Sequence, residues 1–242
     1  MDAKTIVVTG ATSGIGEATA RKLAALGHRV FLTGRNRAKL DALKRDLSAG
    51  ASVGTATADL AVAEEARALA AEAIRTFGSV DVLVHSAGIF RMGGAELTSA
   101  EEFKRVLDTN LTSLQHLMRD LLPHFYERRS GHVVAISSIA GRVGYPAETA
   151  YCSSKWGLMG YLSALRMEAG ERGVRVTAIM PGPTLTPEWE ASKGEIIPEN
   201  MLRPEDVAET VAFAVGQPQN SCIEELLIMP SLSPFARDAA RE

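Results

Sequence analysis

The chain has 242 residues, of which 46% are hydrophobic and 23% charged. This composition is typical of a globular protein that buries a large core, and it excludes disordered and collagen-like chains. The 26 basic and 29 acidic residues give a net charge of -3, which disfavours nucleic acid as a partner because a polyphosphate backbone requires a concentrated basic face.

The setting of the protein is indicated by its cysteines and its apolar runs. Two cysteines are too few to suggest a disulfide framework, so we expect a reducing, cytoplasmic environment. No leader-like apolar segment precedes the first predicted strand, and no apolar run approaches the roughly 20 residues that span a bilayer. We therefore expect no membrane partner.

Short β-branched runs alternate with longer helical segments along the chain. A helix is predicted over Gly14–Leu26 with Gly27 as its C-cap, and a second over Asn36–Leu47 with Asn36 as its N-cap. The seven predicted strands are Thr5–Thr9, Arg29–Leu32, Val53–Ala58, Val80–His85, His132–Ile136, Val174–Ile179 and Glu225–Met229.

Strands that are apolar along their whole length and separated by helices indicate a parallel sheet with both faces covered. We predict a doubly wound (Rossmann-type) α/β fold with seven strands, built as a single domain over residues 1–242. Ligands of such sheets bind beyond the carboxyl ends of the strands, where the strand order reverses. The most irregular stretch is Pro181–Pro204, and we expect a substrate loop at about 183–203.

A glycine-rich turn with the spacing G-x-x-x-G-x-G follows the first strand. Glycines allow the backbone to approach a pyrophosphate, and a helix N-terminus offers free N–H groups to it. The alternative is a purely structural glycine turn, since such turns are frequent. The predicted cofactor-binding residues of this turn are Gly10, Thr12, Ser13, Gly14, Ile15 and Gly16.

The end of the second strand indicates which dinucleotide binds. Gly34 stands where an acid would bind the ribose hydroxyls of NAD, and Arg35 follows with a guanidinium that suits a phosphate. NADP(H) is therefore favoured over NAD(H), although Arg35 could also be a solvated surface residue. Asp59 and Leu60, after the third strand, are candidates for the adenine site, with a helix N-cap as the alternative for Asp59.

The clearest chemical signal is Tyr151 with Lys155, which share one face of a predicted helix. A phenol has a pKa near roughly 10, so it needs a nearby cation to act as a base at neutral pH. We expect Lys155 to lower the pKa of Tyr151 in this way. Ser138, at the end of the fifth strand, is placed to bind a substrate carbonyl oxygen.

These residues resemble the short-chain dehydrogenase/reductase family, and the resemblance extends from Thr5 to about Met229. The glycine turn resembles the family's cofactor motif, Tyr151 and Lys155 its Tyr-x-x-x-Lys pair, and Ser138 its active-site serine. Asn110 is similar to the fourth catalytic residue, which implies a role in a water relay from the lysine to solvent. The resemblance also implies cofactor contacts from Ala87, Gly88, Pro181, Gly182, Thr184 and Thr186.

Two positions depart from the family pattern. His85 stands where the family has an asparagine that supports the central sheet, so this support is in doubt, and a histidine there could instead be catalytic. The ending Met229-Pro230-Ser231 also departs from a common family ending, which affects oligomer contacts. A homodimer or homotetramer is still what the resemblance implies.

The residues together predict hydride transfer between the C4 atom of NADP(H) and a small-molecule carbonyl or secondary alcohol, with Tyr151 as the acid/base. No His/Cys spacing suggests a zinc site, so we expect no metal. Two alternatives stay open, namely an NADP-dependent epimerase or dehydratase and an NADP-binding regulator without turnover.

The substrate cannot be deduced at this level. Candidate walls lie at Ile89–Gly94, at Arg142–Pro146 and in the loop that carries Leu185, Trp189 and Ile196. Within these segments Arg91 and Arg142 could meet an anionic group, or they could simply be solvated.

Overall fold

Seven parallel strands form one sheet in the computed structural model, which describes residues 3–187 and 197–235. The strands are β1 (Thr5–Val8), β2 (Arg29–Gly34), β3 (Val53–Thr57), β4 (Val82–His85), β5 (Gly131–Ile136), β6 (Val174–Pro181) and β7 (Glu225–Ile228). The strand order is β3-β2-β1-β4-β5-β6-β7, and every neighbouring pair is parallel. This confirms the predicted doubly wound architecture and its strand count.

Helices cover both faces of this sheet. Helices α3, α5 and α6 pack on one face, and α1, α2 and α7 pack on the other. The helices are α1 (Gly14–Ala25), α2 (Arg37–Leu47), α3 (Ala63–Phe77), α4 (Ala100–Leu107), α5 (Ser113–Arg128), α6 (Thr149–Gly170) and α7 (Pro204–Gly216), with a π-helix at Asp108–Thr112 and 3₁₀ turns at Ile139–Gly141 and Pro198–Asn200.

The core is divided by the sheet because successive strand residues point to opposite faces. Val7 of β1 therefore joins one apolar cluster, while Ile6 and Val8 join the other. The central strands β4, β5 and β6 are buried along their whole length. Each fully buried Val, Leu or Ile contributes roughly 1.5–3 kcal/mol to folding, so the apolar runs dictate which strands are central.

The ends of several elements are set by individual side chains. Asn36 caps α2 as predicted, since its side chain accepts a 3.0 Å hydrogen bond from the Lys39 amide. Gly27, after α1, has a φ of 82°, a left-handed value that favours glycine. Strand β4 begins at Val82 rather than at Val80, because the Val80 amide donates to His124 and its carbonyl accepts from Arg128.

The strand order reverses between β1 and β4. Strand β1 leads outward to β2 and β3, whereas β4 leads outward to β5, β6 and β7. The loops after β1 and β4 therefore diverge and leave a crevice at the carboxyl edge of the sheet. Across residues 3–187 and 197–235, no helix has the length and apolarity that crossing a membrane would require.

Candidate active site

A cleft of about 560 Å³ opens at this carboxyl edge. It is lined by the turn after β1, by the ends of β2 to β6, by the start of α6 and by residues 229–235. Of the site residues predicted from sequence, Asn110 alone is absent from the lining. Those that line the cleft are Gly10, Thr12, Ser13, Gly14, Ile15, Gly16, Arg35, Asp59, Leu60, Ala87, Gly88, Ser138, Tyr151, Lys155, Pro181, Gly182, Thr184 and Thr186.

The glycine turn has the geometry of a phosphate cradle. Gly10 and Gly14 have φ values of 65° and 50°, which side-chain-bearing residues rarely adopt. A Cβ atom on Gly16 would lie 2.2 Å from the Gly10 carbonyl oxygen. Helix α1 begins at Gly14, and its N-cap Ser13 makes no side-chain capping bond, so that side chain leaves the first N–H groups of the helix available to a ligand in the cleft that this turn lines. These features fit a dinucleotide pyrophosphate.

The ends of β2 and β3 form the far wall of the cleft. A Cβ atom on Gly34 would lie 2.7 Å from the Thr12 side chain, so the strand end is packed closely against the glycine turn. Arg35 follows and lines the cleft, where its guanidinium suits a phosphate group. The Asp59 carboxylate accepts a 3.1 Å hydrogen bond from the Ala61 amide. The N-cap alternative for Asp59 is wrong, because α3 is preceded by Val62.

Tyr151, Lys155 and Ser138 converge at the other end of the cleft. Tyr151 and Lys155 lie one turn apart on α6, and Ser138 follows β5. The Lys155 Nζ atom lies 5.6 Å from the centroid of the Tyr151 ring and donates a 3.0 Å hydrogen bond to the carbonyl oxygen of Ile136. The three side chains therefore form one cluster on the wall of the cleft.

Burial determines the ionisation of this cluster. It raises the pKa of Tyr151 to about 12, while a hydrogen bond with Ser138 acts in the opposite direction. Burial also lowers the pKa of Lys155 to about 8. We expected Lys155 to lower the pKa of Tyr151, but the effect of burial is larger and the opposing group is Ser138. The phenol is thus protonated at neutral pH and suited to donate a proton.

Asn110 lies behind the cluster, buried in the π-helix. Its side chain pairs with the backbone of Ile89, accepting from the amide at 2.7 Å and donating to the carbonyl at 3.0 Å, and it donates to Ser154 Oγ at 3.0 Å. A Cβ atom on Gly88 would lie 3.4 Å from Asn110 Oδ1 and 3.8 Å from Lys155 Nζ. Asn110 therefore fixes the loop after β4, close to Lys155, and the water relay stays a prediction.

His85 is buried beneath the cleft and does not line it. Burial, followed by the positive charge of Lys155, lowers the pKa of His85 to about 3, so the ring is neutral. Its Nδ1 atom lies 3.2 Å from Thr9 Oγ1, and its Nε2 atom lies 3.1 Å from Ser113 Oγ. These hydrogen bonds stabilise the central sheet, which is the role of the family asparagine that His85 replaces. They do not favour a catalytic role for His85.

The direction of these hydrogen bonds follows from the number of protons available. Ser113 donates its hydroxyl proton to the Thr109 carbonyl at 2.6 Å, so it accepts from His85 Nε2. His85 Nδ1 then accepts from the Thr9 hydroxyl, whose oxygen accepts from the Ser86 and Ala87 amides at 3.0 Å each. The chain joins β1, β4 and α5.

Phe90, within the predicted wall Ile89–Gly94, contacts Tyr151 edge to face, with ring centroids 5.0 Å apart and planes at 89°. Glu148 and the segment 229–235 also line the cleft, and these were not predicted from sequence. The position of Glu148, three residues before Tyr151, was the one available signal, because residues at that spacing are neighbours on a helix.

The candidate substrate walls are only partly correct. Ile89 and Tyr145 line the cleft, but Arg91 and Arg142 do not. Arg91 lies 3.8 Å from Glu102, and Arg142 pairs with Glu225. Leu185 lies outside the lining as well, with its amide donating to the Leu202 carbonyl at 2.8 Å. Trp189 and Ile196 lie outside the described residues.

Comparison with known proteins decides the family. Residues 4–195 match the family model described as short chain dehydrogenase. The chain belongs to the short-chain dehydrogenase/reductase family. This confirms the resemblance on which the sequence analysis relied, and it makes the protein a member of a family of oxidoreductases.

Two curated members of the family match almost the whole chain. Dehydrogenase/reductase SDR family member 7B from Bos taurus is 36% identical over 97% of this chain and 77% of its own length. Glycine betaine reductase from Emericella nidulans is 38% identical over 97% of this chain, which spans only 19% of that larger protein. The crystal structure of an actinorhodin polyketide ketoreductase variant with NADPH superposes with a TM-score of 0.87 at 32% identity, covering 97% of this chain and 98% of its own.

Proposed function

We propose that this protein is an NADP(H)-dependent oxidoreductase that interconverts a carbonyl compound and a secondary alcohol, with Tyr151 as the acid/base. The observation that carries the proposal is the placement of Tyr151, Ser138 and Lys155 around one point of the cleft that also contains the glycine turn. A cofactor-binding site and a proton donor therefore share one cavity.

The residues present fit an NADP(H) molecule along the cleft. The N–H groups of the glycine turn would hold the pyrophosphate, and Arg35 would hold the 2′-phosphate. Asp59 and Leu60, which line the cleft, would border the adenine, and Gly88, Gly182 and Thr186 would border the nicotinamide half. The NADPH in the ketoreductase structure described above supports the same cofactor here.

The chemistry divides between the cofactor and the chain. Bound NADPH would supply the hydride to the carbonyl carbon. Tyr151, protonated because burial raises its pKa to about 12, donates its hydroxyl proton to the carbonyl oxygen. Ser138 hydrogen-bonds the same oxygen and orients it, and the Lys155 ammonium stabilises the phenolate that remains. In alcohol oxidation these proton movements are reversed.

The test is an assay of a panel of aldehydes and ketones with NADPH, in which turnover is measured as the loss of NADPH absorbance. Tyr151→Phe keeps the ring but removes the proton, so we expect at least about a 100-fold loss of kcat, in line with general acid catalysis. Tyr161→Phe, on the same helix but outside the cleft, is the control and should keep its activity. Near-normal turnover by Tyr151→Phe would rule out the mechanism.

A regulator without turnover is the alternative that the same panel addresses. Tight NADPH binding with no consumption of any carbonyl compound would favour it. The cluster of Ser138, Tyr151 and Lys155 argues for an enzyme, because a binding protein has no need of a buried phenol beside a buried ammonium group.

A further inference from the structure

Charge is unevenly distributed along the cleft. In the part of the chain that the structure describes, four charged side chains line it: Arg35, Asp59, Glu148 and Lys155. Arg35 and Asp59 lie at the cofactor end, beyond β2 and β3, and Lys155 is engaged with the Ile136 carbonyl. Glu148 and Lys155 are thus the charged side chains at the end that holds Tyr151, and Glu148 supplies the negative charge there.

The backbone holds Glu148 in position. The Gly93 amide donates a 2.8 Å hydrogen bond to the Ala147 carbonyl, and Gly93 forms an isolated parallel bridge with Glu148. Ala147 has a φ of 60°, a left-handed value that is unusual for alanine. Glu148 is the N-cap residue of α6, yet its side chain makes no capping bond. The carboxylate is thus not used to stabilise the helix.

The carboxylate is partly buried and acts on the neighbouring phenols. Burial raises the pKa of Glu148, and the charge of Glu148 adds to the effect of burial in raising the pKa of both Tyr151 and Tyr145. No cation among residues 3–187 and 197–235 forms an ion pair with it. A partly buried negative charge is stabilised by a positive partner, and a ligand in the cleft can provide one.

Aromatic rings also line the cleft. Phe90 stands edge to face with Tyr151 at 5.0 Å, and Tyr145 and Phe235 also line the cavity. The face of an aromatic ring attracts a cation, and several rings beside a carboxylate form the type of site that binds quaternary ammonium groups. Rings and acid thus favour the same kind of ligand.

On the basis of the proposed function, we propose that Glu148 determines substrate specificity by binding a positively charged nitrogen on the carbonyl or alcohol substrate. The rings favour a trimethylammonium group over a primary ammonium. Glu148 immediately precedes α6, Tyr151 lies in the first turn of that helix, and both line the cleft, so one small substrate can reach the two side chains together.

Two aldehydes of equal shape test this specificity. Trimethylammonioacetaldehyde and 3,3-dimethylbutanal differ in a nitrogen that replaces a carbon, so they differ in charge and hardly in size. We expect kcat/KM with NADPH to favour the cation by about tenfold or more. In Glu148→Gln the ratio of the two kcat/KM values should fall by about the same factor, since the amide keeps the shape of the side chain but not its charge.

Glu171→Gln is the matched control, because it removes the same charge at the exposed C-terminal end of α6. In this variant the ratio of the kcat/KM values for the two aldehydes should equal the ratio in the unsubstituted protein. Equal use of both aldehydes by the unmodified protein would overturn the inference. A Glu148→Gln variant that lost activity toward both aldehydes by the same factor would also overturn it, since Glu148 would then have a structural role.

A binding measurement separates this inference from the proposed function. Choline and 3,3-dimethylbutan-1-ol form the corresponding pair of alcohols, and their binding can be followed by calorimetry without turnover. If no carbonyl compound of the aldehyde and ketone panel is reduced, yet choline binds more tightly than its carbon analogue and Glu148→Gln abolishes the difference, the proposed function fails and the cation site stands. Equal binding of both alcohols would remove the cation site whatever the catalytic result.

Discussion

The Lys155 ammonium donates a 3.0 Å hydrogen bond to the Ile136 carbonyl oxygen, the last carbonyl of β5. This bond joins the face of α6 that carries Tyr151 to the strand that precedes Ser138. The arrangement of the proposed active site therefore depends on a contact between a side chain and the backbone, as well as on the side chains to which we assign chemical roles.

The ionisation of Tyr151 can be measured directly. Because burial raises its pKa to about 12, the ¹³Cζ resonance of Tyr151 should not titrate below about pH 11 in the protein without cofactor. Ser138→Ala should raise the pKa further, since it removes the hydrogen bond that stabilises the phenolate. The spectrum of Tyr151→Phe identifies the resonance, and a midpoint near pH 10 or below would contradict the prediction.

Arg35 is expected to select the phosphorylated cofactor. Arg35→Asp removes a charge-assisted hydrogen bond and adds repulsion, so the ratio of kcat/KM for NADPH to that for NADH should fall by about 100-fold. Arg37→Asp is the control, because Arg37 is exposed, pairs with Asp41 at 3.0 Å and does not line the cleft. An unchanged ratio in Arg35→Asp would mean that another residue holds the phosphate.

Close packing inside the glycine turn predicts a loss of both stability and cofactor affinity. In Gly16→Ala the new Cβ atom would lie 2.2 Å from the Gly10 carbonyl oxygen, and overpacking of this kind costs roughly 1–3 kcal/mol. Gly170→Ala, at the end of α6, meets no atom within 4 Å and should gain about 0.5–1 kcal/mol from helix propensity. Thermal unfolding with and without NADPH measures both effects.

The buried His85 should make the protein sensitive to acid. Its pKa in the folded protein is about 3, against 6.5 for an unperturbed histidine, so the unfolded chain binds the proton first as pH falls. The free energy of unfolding should therefore decrease from pH 6.5 downward, with His85 contributing roughly 1.4 kcal/mol per pH unit until pH 3.

His85→Asn should remove this contribution, because an amide can donate to Ser113 and accept from Thr9 without titrating. Denaturant unfolding at pH 4, 5 and 6, values chosen inside the window between the two pKa values, gives the slope. His116→Asn changes a partly exposed histidine of α5 and serves as the comparison. Equal slopes in the two variants would show that His85 does not carry the acid sensitivity.

The fold, and the meeting of Ser138, Tyr151 and Lys155 in one cleft, were predictable because both follow from local spacing. Apolar runs fixed the seven strands, and the interval between Tyr151 and Lys155 placed both on one helical face. Contacts between distant segments were not predictable in this way. The Gly93–Glu148 bridge joins residues from two different loops, and Arg142 turns away from the cleft toward Glu225 on β7.

The pKa of Tyr151 was misjudged for a related reason. Sequence identifies Lys155 as a neighbouring cation, but it gives no measure of how far Phe90 and the surrounding walls exclude water from the phenol. The same limit applied to His85, for which the sequence left both a catalytic and a structural role open. The partners at Thr9 and Ser113 decide in favour of structure.

The hydrogen bond from the Gly93 amide to the Ala147 carbonyl joins the loop after β4 to the loop before α6. Both loops contribute residues to the lining of the cleft, among them Phe90 and Glu148. An engineer who moves either loop would therefore disturb the other, together with Tyr151 at the start of α6. The segment 229–235 lines the cleft as well, and its Leu232 and Phe235 are exposed. The size of the proposed substrate site is best varied there, where side chains can be exchanged without moving Tyr151.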